Sequence, residues 1–288
     1  MDIDGDGHLD ILSGSYSRMD KDMAGLFQVL YGNKDGTFRK AEVLKGTDDE
    51  PLIIPTKDNK QLTEKICTRP FAVDWDGDGK LDLIVGNFAG TFYWFKGQGK
   101  GKFAPQPVLL MSAGKPLSIP RGHSDPFVID WDGDGALDLL SGCSDGGVYW
   151  AKNRAGKGKV PDLLPFEPLI KPRPPVGGQV VCREEDLTGP TSASRIWVAD
   201  VNGDGKLDIL VGDSVHLISP AKGVTDAEFQ KRLADWQKTL LAANKAINAA
   251  TDEKARQQAL VEYSKIYNQR AEFVREEMTG FVWLYVQK

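Results

Sequence analysis

The stretch Asp74-Trp75-Asp76-Gly77-Asp78-Gly79-Lys80-Leu81-Asp82 places carboxylates at its first, third, fifth and ninth positions around two glycines. Four such groups in so short a span repel one another, and the glycines permit a turn that aims them inward, so the centre calls for a cation. Oxygen-only donors suit a hard ion that accepts about six to eight of them, which favours calcium over magnesium and excludes the soft metals. The side chains of Asp74, Asp76, Asp78 and Asp82 are the expected ligands, with the Lys80 carbonyl beside them.

The same string recurs three more times. Its other copies run from Asp2 to Asp10, Asp130 to Asp138 and Asp200 to Asp208, with successive starts 72, 56 and 70 residues apart. In the same register the ligands are Asp2, Asp4, Asp6, Asp10 and the His8 carbonyl; Asp130, Asp132, Asp134, Asp138 and the Ala136 carbonyl; and Asp200, Asn202, Asp204, Asp208 and the Lys206 carbonyl. Four calcium sites are expected. An EF-hand would need a bidentate Glu at the twelfth position, which here holds Ser13, Val85, Ser141 or Val211, so that reading fails in every copy.

Around each copy the same frame returns. Short β-rich apolar runs precede the loops (70–73, 126–129, 196–199) and follow them (9–12, 81–85, 137–140, 207–211). A third run follows a Gly-rich break (25–31, 90–95, 146–150, 280–286), and a fourth is expected near Phe38, Phe103 and Phe166. Four short strands per repeat of such length is the unit of a β-propeller blade. The fold class is therefore all-β, a propeller of four-stranded blades over about 1–50, 51–110, 111–170 and 171–288, with Tyr93, Trp94, Tyr149, Trp150 and Trp283 mostly in blade cores.

These loops and frames resemble the FG-GAP, or VCBS-like, repeats of integrin α-subunit propellers and of many bacterial extracellular proteins, over about 1–220 and 280–288. The resemblance implies a propeller, commonly seven-bladed, with calcium in its loops, and a role in adhesion, glycan recognition or as an accessory module of enzymes. It implies a scaffold and a metal, not a substrate. The chain departs from that pattern in showing four motifs, no strand before its first loop and no fourth strand after its last. It reads as a fragment of a longer protein, with an extracellular, periplasmic or envelope location expected from the calcium.

One segment stands apart. Residues 225–279 contain no Gly or Pro and read as a helical hairpin inserted in the last blade. Thr225 and Glu228 form a capping box, followed by a stripe of Phe229, Leu233, Trp236, Leu240, Ala243 and Ile247. A second helix is expected from Thr251 to Gly280, with Ala259, Tyr263, Ile266, Arg270 and Phe273 on one face. If strands alternate, this insertion shares an end of the propeller with the long connections 45–69, 111–126 and 171–195, opposite the calcium loops. A glycan or protein partner is expected on that end, at Arg69, His123, Asp125 and Arg195.

Composition narrows the alternatives. Lys plus Arg number 36 against 41 acids, a net charge of −5, and fifteen of those acids lie in the four loops. No basic run suits nucleic acid, and no apolar run spans a membrane. Cys67, Cys143 and Cys182 form no CxxC pair, so a zinc site is not expected and at most one disulfide can form. Adjacent His123, Ser124 and Asp125 cannot form a triad among themselves, and the Gly-Lys stretches at 97–102 and 156–159 lack the ending of a P-loop. A non-catalytic binding module is the first reading; a carbohydrate-active enzyme or its accessory domain, and a purely structural scaffold, are the alternatives.

Overall fold

A computed structural model describes residues 1–16, 25–56, 63–172 and 181–288. Two compact units result. The first comprises Met1–Pro172, Ala193–Gly212 and Val282–Lys288; the second takes Asp213–Phe281 together with the described part of 173–192. The parts of the long connections at 57–62 and 173–180 lie outside the described residues.

The first unit is a series of antiparallel sheets. Strands β1 (Ile11–Ser13), β2 (Gln28–Leu30) and β3 (Glu42–Val43) form one. The next contains β4 (Arg69–Val73), β5 (Asp82–Gly86) and β6 (Phe92–Phe95), then a small hairpin of β7 (Gly97–Gly99) and β8 (Lys102–Phe103), and ends in β9 (Val108–Leu109). After a hairpin of β10 (Met111–Ser112) and β11 (Lys115–Pro116) comes the sheet of β12 (Asp125–Ile129), β13 (Asp138–Gly142), β14 (Val148–Ala151) and β15 (Glu167–Ile170). Beyond β16 (Val181–Cys182), which belongs to the second unit, β17 (Arg195–Ala199) and β18 (Asp208–Gly212) open a fourth sheet.

The second unit then intervenes as β19 (Val215–Pro220), α1 (Asp226–Ala249), α2 (Glu253–Gln269) and β20 (Val274–Thr279), after which β21 (Val282–Tyr285) completes the fourth sheet by pairing with β18. Each Asp-Gly loop joins the first two strands of a sheet or leads into β1. The pairs Val73↔Asp82, Ile129↔Asp138 and Ala199↔Asp208 close it, so the ninth aspartate is the first residue of its strand.

The sheets stack through their first strands, β4 beside β12 and β12 beside β17. Successive side chains of a strand point to opposite faces. Leu83 and Val85 enter a core with Phe27, Val29 and Phe95, whereas Ile84 enters one with Trp94, Val128 and Leu139. Leu140 instead joins Phe127, Ile196, Val198 and Val211. This burial on both faces explains why the central strands read as unbroken apolar runs. The four sheets do not close on one another, so what is seen is a mostly β fold with two helices and an open series of sheets rather than a complete propeller.

A hydroxyl latch joins neighbouring sheets. Ser124 Oγ accepts from the Asn87 amide and donates to the Thr91 carbonyl, both at 2.8 Å. Ser194 Oγ does the same with the Cys143 amide and the Gly147 carbonyl, both at 2.7 Å, and Thr68 Oγ1 accepts from the Ser15 amide at 2.9 Å. These three residues each precede a first strand.

Two strand expectations are corrected. The last strand of the first two sheets is β3 or β9, some residues beyond Phe38 and Phe103; Phe38 makes only an isolated bridge to Gly32, and Phe103 sits in the β7–β8 hairpin. The second helix ends at Gln269 instead of Gly280, and β20 pairs along the whole of β19. Helix preference among residues such as Glu, Met and Val amounts to tenths of a kcal/mol each (about 0.7 at most), which a waiting strand partner overrides. The cap of α2 is Asp252, accepting from the Ala255 amide, rather than Thr251.

Within the second unit, β16 runs parallel and β20 antiparallel to β19. Thr225 caps α1 by accepting from the Glu228 amide, and Phe229, Leu233, Trp236 and Leu240 pack with Ile266, Phe273 and Val274. Trp236 donates to the Ile266 carbonyl at 2.9 Å. Arg270 pairs with Glu276 and lies 3.7 Å over the Tyr267 ring. The buried part of the apolar stripe is thus spent within the second unit, against α2 and against Ile218, Phe273 and Val274. All three cysteines are buried, and among the described residues no helix is long and apolar enough to cross a membrane.

Candidate functional site

The four Asp-Gly loops share one internal wiring. The first aspartate accepts from the glycine amide five residues on, at 2.9 Å in every copy (Asp2–Gly7, Asp74–Gly79, Asp130–Gly135, Asp200–Gly205). The fifth accepts from the amide two residues on, in Asp6–His8, Asp78–Lys80, Asp134–Ala136 and Asp204–Lys206, at 2.9–3.0 Å. Both glycines of each loop have positive φ, from 74° to 89°, a region that other residues enter at a cost. The carboxylates are consequently gathered by the loop's own hydrogen bonds and turn geometry.

Ligand-type oxygens come within 4.8 Å of one another in three loops: Asp2, Asp4 and Asp6; Asp74, Asp76 and Asp78; and Asp130, Asp132 and Asp138. These three clusters could hold a metal ion. In the fourth loop Asn202 replaces an acid, and its amide donates to Asp204 at 3.2 Å. The residues fit a hard cation, because Asp74 Oδ1, Asp76 Oδ1 and Asp130 Oδ1 are buried without a hydrogen-bond partner, a costly arrangement for carboxylate oxygens.

A basic side chain leans on each of these clusters. Arg39 pairs with Asp6 at 3.2 Å, Lys96 with Asp76 and Asp78, and Lys152 with Asp132 and Asp134. Pairing with Asp76 raises the Lys96 ammonium above its ordinary range, and the Lys152 hydrogen bond holds Asp134 below the usual carboxylate range.

The ninth aspartate has a role the motif alone does not reveal. Asp82 accepts from the Trp75 amide with one oxygen and from the Gly97 amide with the other. Asp10, Asp138 and Asp208 repeat this with Ile3 and Gly32, Trp131 and Asn153, and Val201 and Gln287. Each is buried and ties its loop to the chain leaving the antiparallel strand pair into which the loop leads. Its place as the opening residue of a strand was the available signal.

At the opposite end of these strands lie the other predicted residues. Arg69, Asp125 and Arg195 each open a first strand, and stacking of β4, β12 and β17 brings them together. Both Nε atoms point at Asp125 Oδ1, from 3.6 Å (Arg69) and 3.8 Å (Arg195). They line a cavity of about 410 Å³ with Leu12, Ser13, Ser15, Tyr16 and Cys67. Burial raises the Asp125 carboxyl against the pull of both guanidiniums, and lowers Arg69, with repulsion from Arg195 adding to the effect.

His123 is placed differently. Its ring packs at a tilt against Phe88, with centroids 4.4 Å apart, and does not line the cavity. Burial, then the charges of Arg69 and Arg195, lower its pKa from the ordinary 6.5. A lowered histidine favours the folded state fully above about pH 6.5 and loses that contribution as acid protonates it. His123→Asn, which suits the φ of 60° there, should therefore lose less stability than the parent between pH 7 and pH 5 in urea unfolding.

Comparison with known proteins adds the repeat's description. Residues 74–141 and 130–211 match a family model described as an FG-GAP-like repeat. No curated protein matches the chain.

Proposed function

The chain carries FG-GAP-like repeats over residues 74–211, and on that premise we propose that it is a calcium-stabilised β-propeller module of the extracellular type, binding a glycan or protein ligand without catalysis. The observation that carries the calcium is the set of buried, unpartnered oxygens on Asp74, Asp76 and Asp130, each within a cluster of like charges. First-, third- and fifth-position side chains would hold the ion, with the ninth contributing through what its two backbone bonds leave free. Bound calcium supplies neutralisation, which lets the loops stay closed. The extracellular setting follows from the modest affinity of modules matched to calcium-rich surroundings.

Binding is favoured over catalysis by how the cavity spends its charges. Among the described residues that line it, the one carboxylate, Asp125, faces two guanidiniums, an arrangement made to hold charge rather than to move a proton.

Native mass spectrometry in calcium should count about four ions, one per loop. The double variant Asp76→Ala/Asp78→Ala should lose one of them, and an unchanged count would refute the ligand assignment. Lys96→Met should leave the count alone but tighten that site roughly three- to ten-fold by calorimetry, because the ammonium competes for the same carboxylates across solvent-screened distances. A broad glycan array, run in calcium and in EDTA on folded protein, tests the ligand class.

A further inference from the structure

We propose that the cavity at Arg69 and Arg195 binds the carboxylate of an acidic sugar, a hexuronate residue. This rests on the reading of the chain as a binding module and names the ligand that module takes.

Among the described residues, two guanidiniums and one carboxylate leave a single positive charge in a partly buried place, with the side chains of Arg69 and Asp125 each 17% exposed. Burial and repulsion from Arg195 work against Arg69 and are only partly offset by Asp125, so an incoming anion adds to that relief. One surplus charge matches a monoanion such as a carboxylate better than a doubly charged phosphate.

Geometry agrees. The Nε–Oδ1 separations of 3.6 and 3.8 Å are too long for hydrogen bonds, so Asp125 spaces the two guanidiniums without consuming their donors. Arg69 Nη1 donates to the Ser124 carbonyl, and Arg195 Nη1 to the carbonyls of Ala193 and Ser194. Neither Nη2 has a partner among the described residues. Paired guanidinium edges of this kind are suited to a planar carboxylate.

The remaining walls suit a sugar. The Ser13 hydroxyl can meet a ring hydroxyl, and Tyr16, 81% exposed, offers an aromatic face for stacking. A volume of about 410 Å³ admits a sugar residue and part of its neighbour.

Calorimetry with digalacturonate and with its methyl ester, which keeps the shape and cancels the charge, tests this in calcium. The acid should bind about ten-fold or more tightly than the ester. Arg195→Gln should erase that preference while melting like the parent in calcium, since the Arg195 side chain is 43% exposed; Tyr16→Ala should weaken acid and ester alike. Equal binding of acid and ester overturns the proposal. So does an absence of binding by both; if calcium still raises the melting temperature, the calcium-stabilised module survives that failure. Binding of an oligoglutamate peptide in place of the sugar also overturns it, in favour of an acidic protein ligand.

Discussion

Stripping calcium with EDTA is expected to lower the melting temperature by about 10 °C or more. A ligand held at a hundred times its dissociation constant stabilises the state it binds by about 2.7 kcal/mol per site. Three acidic clusters of the kind seen at Asp2, Asp74 and Asp130 therefore add several kcal/mol. In domains of about 150–250 residues each kcal/mol moves the melting point by about 2–4 °C. Magnesium should restore only part of the loss, because it demands a tighter octahedral shell and gives up water reluctantly. An unmoved melting temperature, followed by scanning calorimetry with and without chelator, would mean that Arg39, Lys96 and Lys152 with the loop hydrogen bonds already suffice, and the calcium reading would fall.

That prediction draws on the part of the molecule most legible in its sequence. Asp and Gly at fixed offsets force a particular turn, so the loops and the strands beside them could be read directly, and so could the cap of α1 at Thr225. Convergence of Arg69, Asp125 and Arg195 was legible too, because all three stand at the same place in the repeat.

Elements that depend on distant partners were not. The strand β20 looks helical in isolation and is made a strand by β19. His123 neighbours Ser124 and Asp125 in sequence, yet its left-handed backbone turns it onto Phe88. The latch through Thr68, Ser124 and Ser194 needs the next sheet in place before its meaning is visible. Asp82 was readable as a ligand by its motif position, but its two amide partners lie on either side of a whole hairpin.

The same dependence on the next sheet separates glycines that look equivalent. Gly142 and Gly212 both end the second strand of their sheets. A Cβ on Gly142 would stand 2.3 Å from the Ser194 carbonyl oxygen, which belongs to the backbone leading into β17 and is held by the latch. No rotamer change can relieve such a clash; the sheets themselves must separate, and Gly142→Ala should cost about 3–5 kcal/mol. At Gly212 a Cβ meets nothing nearer than the Arg195 carbonyl oxygen at 3.9 Å, and the φ there is not left-handed. Gly212→Ala should be neutral or stabilise by up to about 1 kcal/mol, through the reduced freedom of the unfolded chain. Urea unfolding of the two variants side by side makes the comparison. Equal effects would mean that this glycine serves the strand that contains it, whereas the expected split makes it the place where one sheet's backbone touches the next.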